Sequence, residues 1–301
     1  MVKRLARSLK QAEQNIIVTE TNERTMIDAA PTAPSPEGEG SVPNKPAHEM
    51  VCGVPVARMS FHDLCMALGD RIRQRRPGFL VTPNVDHVCL FHRRADIRAA
   101  YREAFLALPD GIPLLWAARL LGRPLEEKLS GSDLVPSLSE WAAKEGYSVF
   151  CFGAAEGVAE KAARKLQEQY PGLKVAGVYS PPVGFEHDPV ENRRAIAAIR
   201  NAKPDICFVA LGCPKQELWL LEHYKDIGVP VSLGIGAGLD FVAGKVRRAP
   251  RCVQRIGLEW LWRLLQEPRR LWRRYLVEDA LFLSLVWRDF RGTLVTHTPI
   301  D

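Results

Sequence analysis

Asp205-Ile-Cys-Phe-Val-Ala-Leu-Gly-Cys-Pro-Lys-Gln-Glu-Leu-Trp219 is the stretch that decides the fold. Ile206 to Leu211 is an apolar run of strand length. Gly212 then permits a sharp turn, Pro214 suits a first helical turn, and helix-forming residues follow. A strand that passes directly into a helix is half of a βαβ unit. Working outward, the same alternation recurs. Strands are expected at Phe79 to Thr82, Ser148 to Phe152, Lys174 to Tyr179, Asp205 to Leu211 and Val229 to Ile235, with another near Ala104 to Leu108. Helices fit between them, at 60–75, 85–102, 112–121, 132–145, 156–169, 190–201 and 214–225. The pattern predicts an α/β fold around a mainly parallel sheet. Ligands in such sheets bind beyond the carboxyl ends of the strands.

On either side of this region the composition changes. Residues 30–47 hold five of the 22 prolines among Gly, Ser and Thr, which is too little apolar surface to offset ordering entropy. Residues 1–48 are therefore read as a disordered tail and 49–244 as the α/β core. Residues 245–301 are read as a Trp- and Arg-rich helical appendage in which Pro268 interrupts the register. The basic N-terminus lacks a continuous apolar segment, and Ala280 to Trp287 is too short to cross a bilayer, so neither a signal peptide nor a membrane span is expected. At 47% hydrophobic and 25% charged residues, the 301-residue chain is neither wholly disordered nor a multi-span membrane protein. Seven cysteines without a C-x-x-C pair read as reduced thiols, and the seven histidines do not fall at zinc-ligand spacing, so no metal is expected.

The turns after the strands carry the chemistry. Thr82-Pro83-Asn84 presents a hydroxyl and an amide suited to sugar hydroxyls, or simply caps a helix. Leu108-Pro-Asp110-Gly-Ile-Pro113 sets one carboxylate among apolar neighbours, where desolvation raises its pKa toward a general-base value; as a plain turn it needs no further explanation. Phe152 to Gly157 and Gly234 to Gly238 are either phosphate-holding amide turns or merely tight turns, and neither has the dinucleotide or P-loop spacing. Lys215 and Gln216 offer a cation and an amide near a strand end. Asp240 is a carboxylate in reach of ribose or base donors, or a helix cap. Glu186-His187-Asp188 has the acid-x-acid form of a metal-nucleotide site, but its Pro/Gly-rich setting reads as a solvated loop.

Together these strings resemble the WecG/TagA/CpsF family of bacterial glycosyltransferases. The matching pieces are Thr82-Pro-Asn84, Leu108-Pro-Asp-Gly111, Leu120-Leu-Gly-Arg-Pro124 with Ser130-Gly-Ser-Asp133, Leu211-Gly-Cys-Pro-Lys-Gln-Glu217, and Gly236 to Gly244. Arg248-Ala-Pro250, Gly257-Leu-Glu-Trp-Leu261 and Glu267-Pro-Arg-Arg270 continue the match, which runs in order from about 51 to 285. The resemblance implies a Rossmann-like, mainly parallel α/β fold with a C-terminal helical appendage. It implies transfer from a UDP-sugar to a polyprenyl-diphosphate-linked sugar, with inversion and without a metal or cofactor. Asp110 is then the base. Thr82 and Asn84 position the donor sugar or acceptor hydroxyl, while Gln216 and Asp240 hold the UDP part. Arg263, Arg270 and Arg273 of the appendage meet the diphosphate, with Arg269 or Arg274 as substitutes. The partners implied are the UDP-sugar, the polyprenyl-diphosphate-linked acceptor and the inner face of the cell membrane. An oligomer is allowed and no nucleic acid is required.

Lys128 stands where family members commonly carry an arginine before the A/S-G-S-D string. A point charge keeps phosphate contact better than bidentate carboxylate recognition, so a uronic-acid donor is disfavoured and glucose or N-acetylmannosamine remains. The competing class is a nucleic-acid binder that uses the basic C-terminal helices and their tryptophans as stacking platforms. A nucleotide-dependent oxidoreductase is disfavoured by the missing dinucleotide fingerprint. The net charge of +6 is local: residues 245–274 carry +8 and the rest of the chain −2. A near-neutral body with a cationic cover points to diphosphates at a membrane surface.

Overall fold

A computed structural model describes residues 47–255, 257–273, 275 and 279–294, without the side chains of Arg251, Arg255 and Arg270. Most of the expected tail, residues 1–46, lies outside the described residues, and His48 already belongs to a strand. That strand, β1 (His48–Val51), pairs antiparallel with β2 (Val54–Ala57). The sequence reading assigned no strand here. Each arm is only four residues long, and Pro55 in the second argues against a strand unless it lies at an edge. Cys52 and Gly53 make the turn at positive φ.

Next come α1 (Phe61–Arg73), capped by a reciprocal Ser60–Asp63 box, and β3 (Phe79–Val81). The single helix expected over 85–102 is two, α2 (Val85–Arg93) and α3 (Ala95–Glu103), broken where Arg94 is extended. Asp96 explains the break. It accepts from the Ile97 amide at 2.8 Å and from the Arg94 guanidinium at 2.6 and 3.0 Å, which builds a new helix start. The body continues through β4 (Leu106–Ala107), α4 (Ile112–Leu120), α5 (Gly131–Glu145), β5 (Ser148–Gly153), α6 (Val158–Gln169), β6 (Lys174–Tyr179) and α7 (Pro189–Ala202). It ends with β7 (Ile206–Ala210), α8 (Lys215–Ile227), β8 (Val231–Gly234) and α9 (Gly238–Ala243).

β3 to β8 form one six-stranded sheet in the order β4-β3-β8-β7-β5-β6, parallel throughout. Successive strand residues feed opposite cores: Phe79, Phe150, Phe152 and Val209 pack on one face, Leu80, Cys151 and Phe208 on the other. Both faces are covered by helices, which is why these strands read as continuous apolar runs. β3–β4 run to one edge and β5–β6 to the other. The carboxyl ends of β3, β7 and β8 thus meet mid-sheet.

Beyond Gly244 lie α10 (Arg251–Arg255), α11 (Glu259–Gln266), α12 (Pro268–Arg273) and α13 (Leu281–Phe290). Pro268 begins α12, so the expected interruption falls between two helices. α13 returns to the body and buries Phe282 and Leu285 in the first core. Its Asp289 accepts from the Cys52 amide at 2.8 Å and from Arg123 at 3.1 Å. No helix among the described residues is long and apolar enough to cross a membrane.

Candidate active site

A cleft of about 1050 Å³ opens at the carboxyl ends of the central strands. One wall is made by the turns after β3, β4, β7 and β8. The other is made by the C-terminal segment, through Trp260, Arg263, Leu271, Tyr275, Phe282 and Leu283. Thr82, Asn84, Asp110, Lys128, Gln216 and Asp240, from five separate stretches of sequence, all line it, and so does Arg263. Arg273, on α12, is exposed and does not line the cleft; the side chain of Arg270 lies outside the described residues.

Thr82, at the end of β3, is buried, and its hydroxyl donates to the Gly234 carbonyl at 3.3 Å, leaving acceptor capacity for the cleft. Asn84 caps α2 and also faces the cleft. Its Oδ1 accepts from the His87 amide at 3.2 Å and lies 3.0 Å from His87 Nδ1. His87 Nε2 lies 3.1 Å from Glu217 Oε1, which also accepts from Gln216 Nε2 at 2.8 Å. Gln216 Oε1 in turn accepts from the Gly236 amide at 3.0 Å. One buried chain of polar groups therefore links the turns after β3, β7 and β8.

Asp110 sits on the turn after β4, where Gly111 at φ +92 lets the chain enter α4. The Asp110 amide donates to the Pro83 carbonyl at 2.9 Å, fixing this turn against the previous one. Burial pushes the Asp110 carboxyl up to about 6, with nearby Lys128 and His87 pulling the other way. Lys128 pairs with Asp133 at 2.6 Å, and Asp133 pairs with Arg248 at 2.5 Å. Burial disfavours the Asp133 carboxylate, but bonds from Lys128 and Ser130 hold it below the usual range. Asp240 lies in the first turn of α9 with Lys245 3.8 Å away.

The remaining sequence candidates sort by their partners. Lys215 reaches the cleft but pairs with Glu186, while Asp188 caps α7 by accepting from Val190 and Glu191. The acid-x-acid segment is thus engaged in local structure. His87, Cys213 and Glu217 bring metal-ligand types within 4.8 Å of one another, yet both ring nitrogens of His87 already have neighbours at hydrogen-bond distance. Sequence reasoning missed His87 and the partnership of Asp133 with Arg248. The signal for His87 was its position three residues beyond the cap Asn84, on the same turn of helix.

The sequence profile of the glycosyl transferase WecG/TagA/CpsF family matches residues 49–294. An N-acetylglucosaminyldiphosphoundecaprenol N-acetyl-beta-D-mannosaminyltransferase of Bacillus spizizenii is 36% identical over 224 residues, covering 74% of this chain and 84% of that protein. A protein of the same name from Bacillus subtilis is 36% identical over 170 residues, 56% of this chain and 63% of its own length. One from Staphylococcus aureus is 29% identical over 195 residues, 65% of this chain and 74% of its own. With the match extending from β1 to the end of α13, this chain belongs to the WecG/TagA/CpsF family and is a glycosyltransferase.

Proposed function

We propose that this chain moves a hexose or N-acetylhexosamine from a UDP-sugar to a polyprenyl-diphosphate-linked sugar, inverting the anomeric centre without a metal ion. The names of the relatives favour an N-acetylmannosamine donor and an undecaprenyl-diphosphate-linked N-acetylglucosamine acceptor. The observation that carries the reading is Asp110, a carboxylate with its pKa raised to about 6 on the wall of the cleft. Single displacement needs one such base. Asp110 takes the acceptor hydroxyl proton as that oxygen bonds to the anomeric carbon, and the bond to UDP breaks on the opposite side. Thr82 and Asn84 position the sugars, Gln216 and Asp240 hold the UDP part, and Lys128 adds positive charge beside Asp110. Negative charge growing on the leaving diphosphate is met by Arg263 from the cleft wall.

We place the reaction at the cytoplasmic face of the membrane, in surface or exopolysaccharide assembly. The core over 49–244 performs the transfer, and the appendage over 245–301 covers the cleft and touches the lipid. Exposed Leu261, Leu265 and Trp272 among arginines support that contact. The test is transfer from labelled UDP-sugars to a lipid-diphosphate-linked N-acetylglucosamine in EDTA, with the product's anomeric configuration read out. Inverted product at an undiminished rate is expected. Activity lost to chelation and restored by a divalent ion would remove the metal-free mechanism.

A further inference from the structure

Two backbone amides fix the polarity of the buried chain beneath the cleft. The His87 amide donates in every protonation state, and it faces Asn84 Oδ1 at 3.2 Å, so the oxygen of that side chain points into the helix. The same oxygen is 3.0 Å from His87 Nδ1, which must then carry a hydrogen. From the other end, the Gly236 amide donates to Gln216 Oε1 at 3.0 Å, turning Gln216 Nε2 onto Glu217 Oε1 at 2.8 Å. That carboxylate oxygen only accepts, and it lies 3.1 Å from His87 Nε2. With Glu217 as a carboxylate, both ring nitrogens donate.

We propose that His87 is a cationic positioning residue. Its two ring N–H groups hold Asn84 with the NH2 group turned to the cleft and, through Glu217, hold Gln216 in register with the Gly236 turn. Asn84 then meets substrate as a donor, suited to a hydroxyl oxygen, an acetamido carbonyl or a phosphoryl oxygen. A ring with a bare Nδ1 would set a lone pair against Asn84 Oδ1 and loosen that geometry. The charge state stands on the geometry alone. Its kinetic consequence rests on the sugar transfer proposed above.

His87 is 3% exposed. Facing it are Cys213 from the β7–α8 turn, Glu217 from α8 and Asp110 from the β4–α4 turn. Asp86 on α2 and the Tyr101 hydroxyl of α3 adjoin the same group. Burial opposes a charged ring, but Cys213 and Glu217 reverse that and hold it protonated well above the usual imidazole range. Burial also pushes the Cys213 thiol up, so Glu217, 3.1 Å from Nε2, is the acidic group that faces the ring most directly.

The test is an NMR titration of the full chain's imidazole signals from pH 6 to 9, with His87→Asn identifying the His87 resonance. An imidazolium shift held past pH 8 is expected, unchanged by EDTA. Titration at or below the ordinary value would overturn the proposal in favour of a neutral pair, and a zinc-dependent shift would overturn it in favour of a metal ligand. Neither readout requires transferase activity, so failure here is separable from failure of the proposed reaction. In Glu217→Gln the His87 signal should titrate at or below the ordinary range. kcat/KM should gain an alkaline limb, falling about tenfold per pH unit above the new pKa, that the unmodified chain lacks. A loss equal at every pH would make the pair a packing element and end the positioning role. If Glu217→Gln does not fold, Glu217→Asp keeps the charge at greater distance, and a smaller downward shift of the same signal is expected.

Discussion

Asp110 carries a stability cost that follows from its chemistry. Its carboxyl titrates near 4 in an unfolded chain and at about 6 in the fold, so folding binds a proton between those values. Stability attached to this group is present at low pH and lost as pH rises through 6. Asp110→Asn removes the cost. It should raise stability at pH 7 by about 2–3 kcal/mol, read as a higher Tm, while lowering kcat by about 10²–10⁴ with donor binding nearly intact. Loss of binding in step with kcat would make Asp110 structural. Because the base must be ionised, activity should climb with pH through about 6. Lys128 lowers that value by its charge, so Lys128→Met should move the acidic limb of kcat/KM to higher pH. At this scale the sequence was informative where a side chain sits on a strand-end turn, as Asp110 and Asn84 do, or in the first turn of the helix that follows, as Gln216 does. It was silent on the pairing of Asp133 with Arg248, which spans more than a hundred residues and follows from no local spacing.

Among the elements, α5 shows how closely helix and sheet meet beside the cleft. A Cβ on Gly131 would lie 2.9 Å from the Ile235 Cα and 3.2 Å from the Gly234 carbonyl, both backbone atoms that cannot rotate away. Alanine in a helix ordinarily stabilises by about 1 kcal/mol over glycine, so the sign of Gly131→Ala is decisive. Thermal unfolding should show a loss of about 1–3 kcal/mol, with activity falling as the turn after β8 is displaced. A gain would mean that the two elements yield. The central strands were readable because burial on both faces leaves an unbroken apolar run, as in Ile206–Ala210. The β1–β2 hairpin was not, since Pro55 masks its second strand. The split at Arg94 was hidden because both halves share one apolar period, and only Asp96 marks the new start.

Across the whole molecule, charge and apolar exposure fall on the same segment. The +8 of residues 245–274 coincides with exposed Leu265 and Trp272. The full chain should float with phosphatidylglycerol vesicles and much less with neutral ones. Leu265→Ser with Trp272→Ser should reduce that flotation several-fold without changing the fold, because both side chains are solvent-exposed. Undiminished flotation would remove the membrane contact. Substitution is preferable to truncation after Gly244, which would also strip Phe282 and Leu285 from the core. The join between the Cys52 turn and Asp289 has a further consequence, in the order of synthesis. The hairpin is made early, but the carboxylate that receives its turn amide is 237 residues later. A nascent chain therefore lacks one wall of its cleft until α13 leaves the ribosome, and the enzyme should acquire substrate affinity only once α13 has been made.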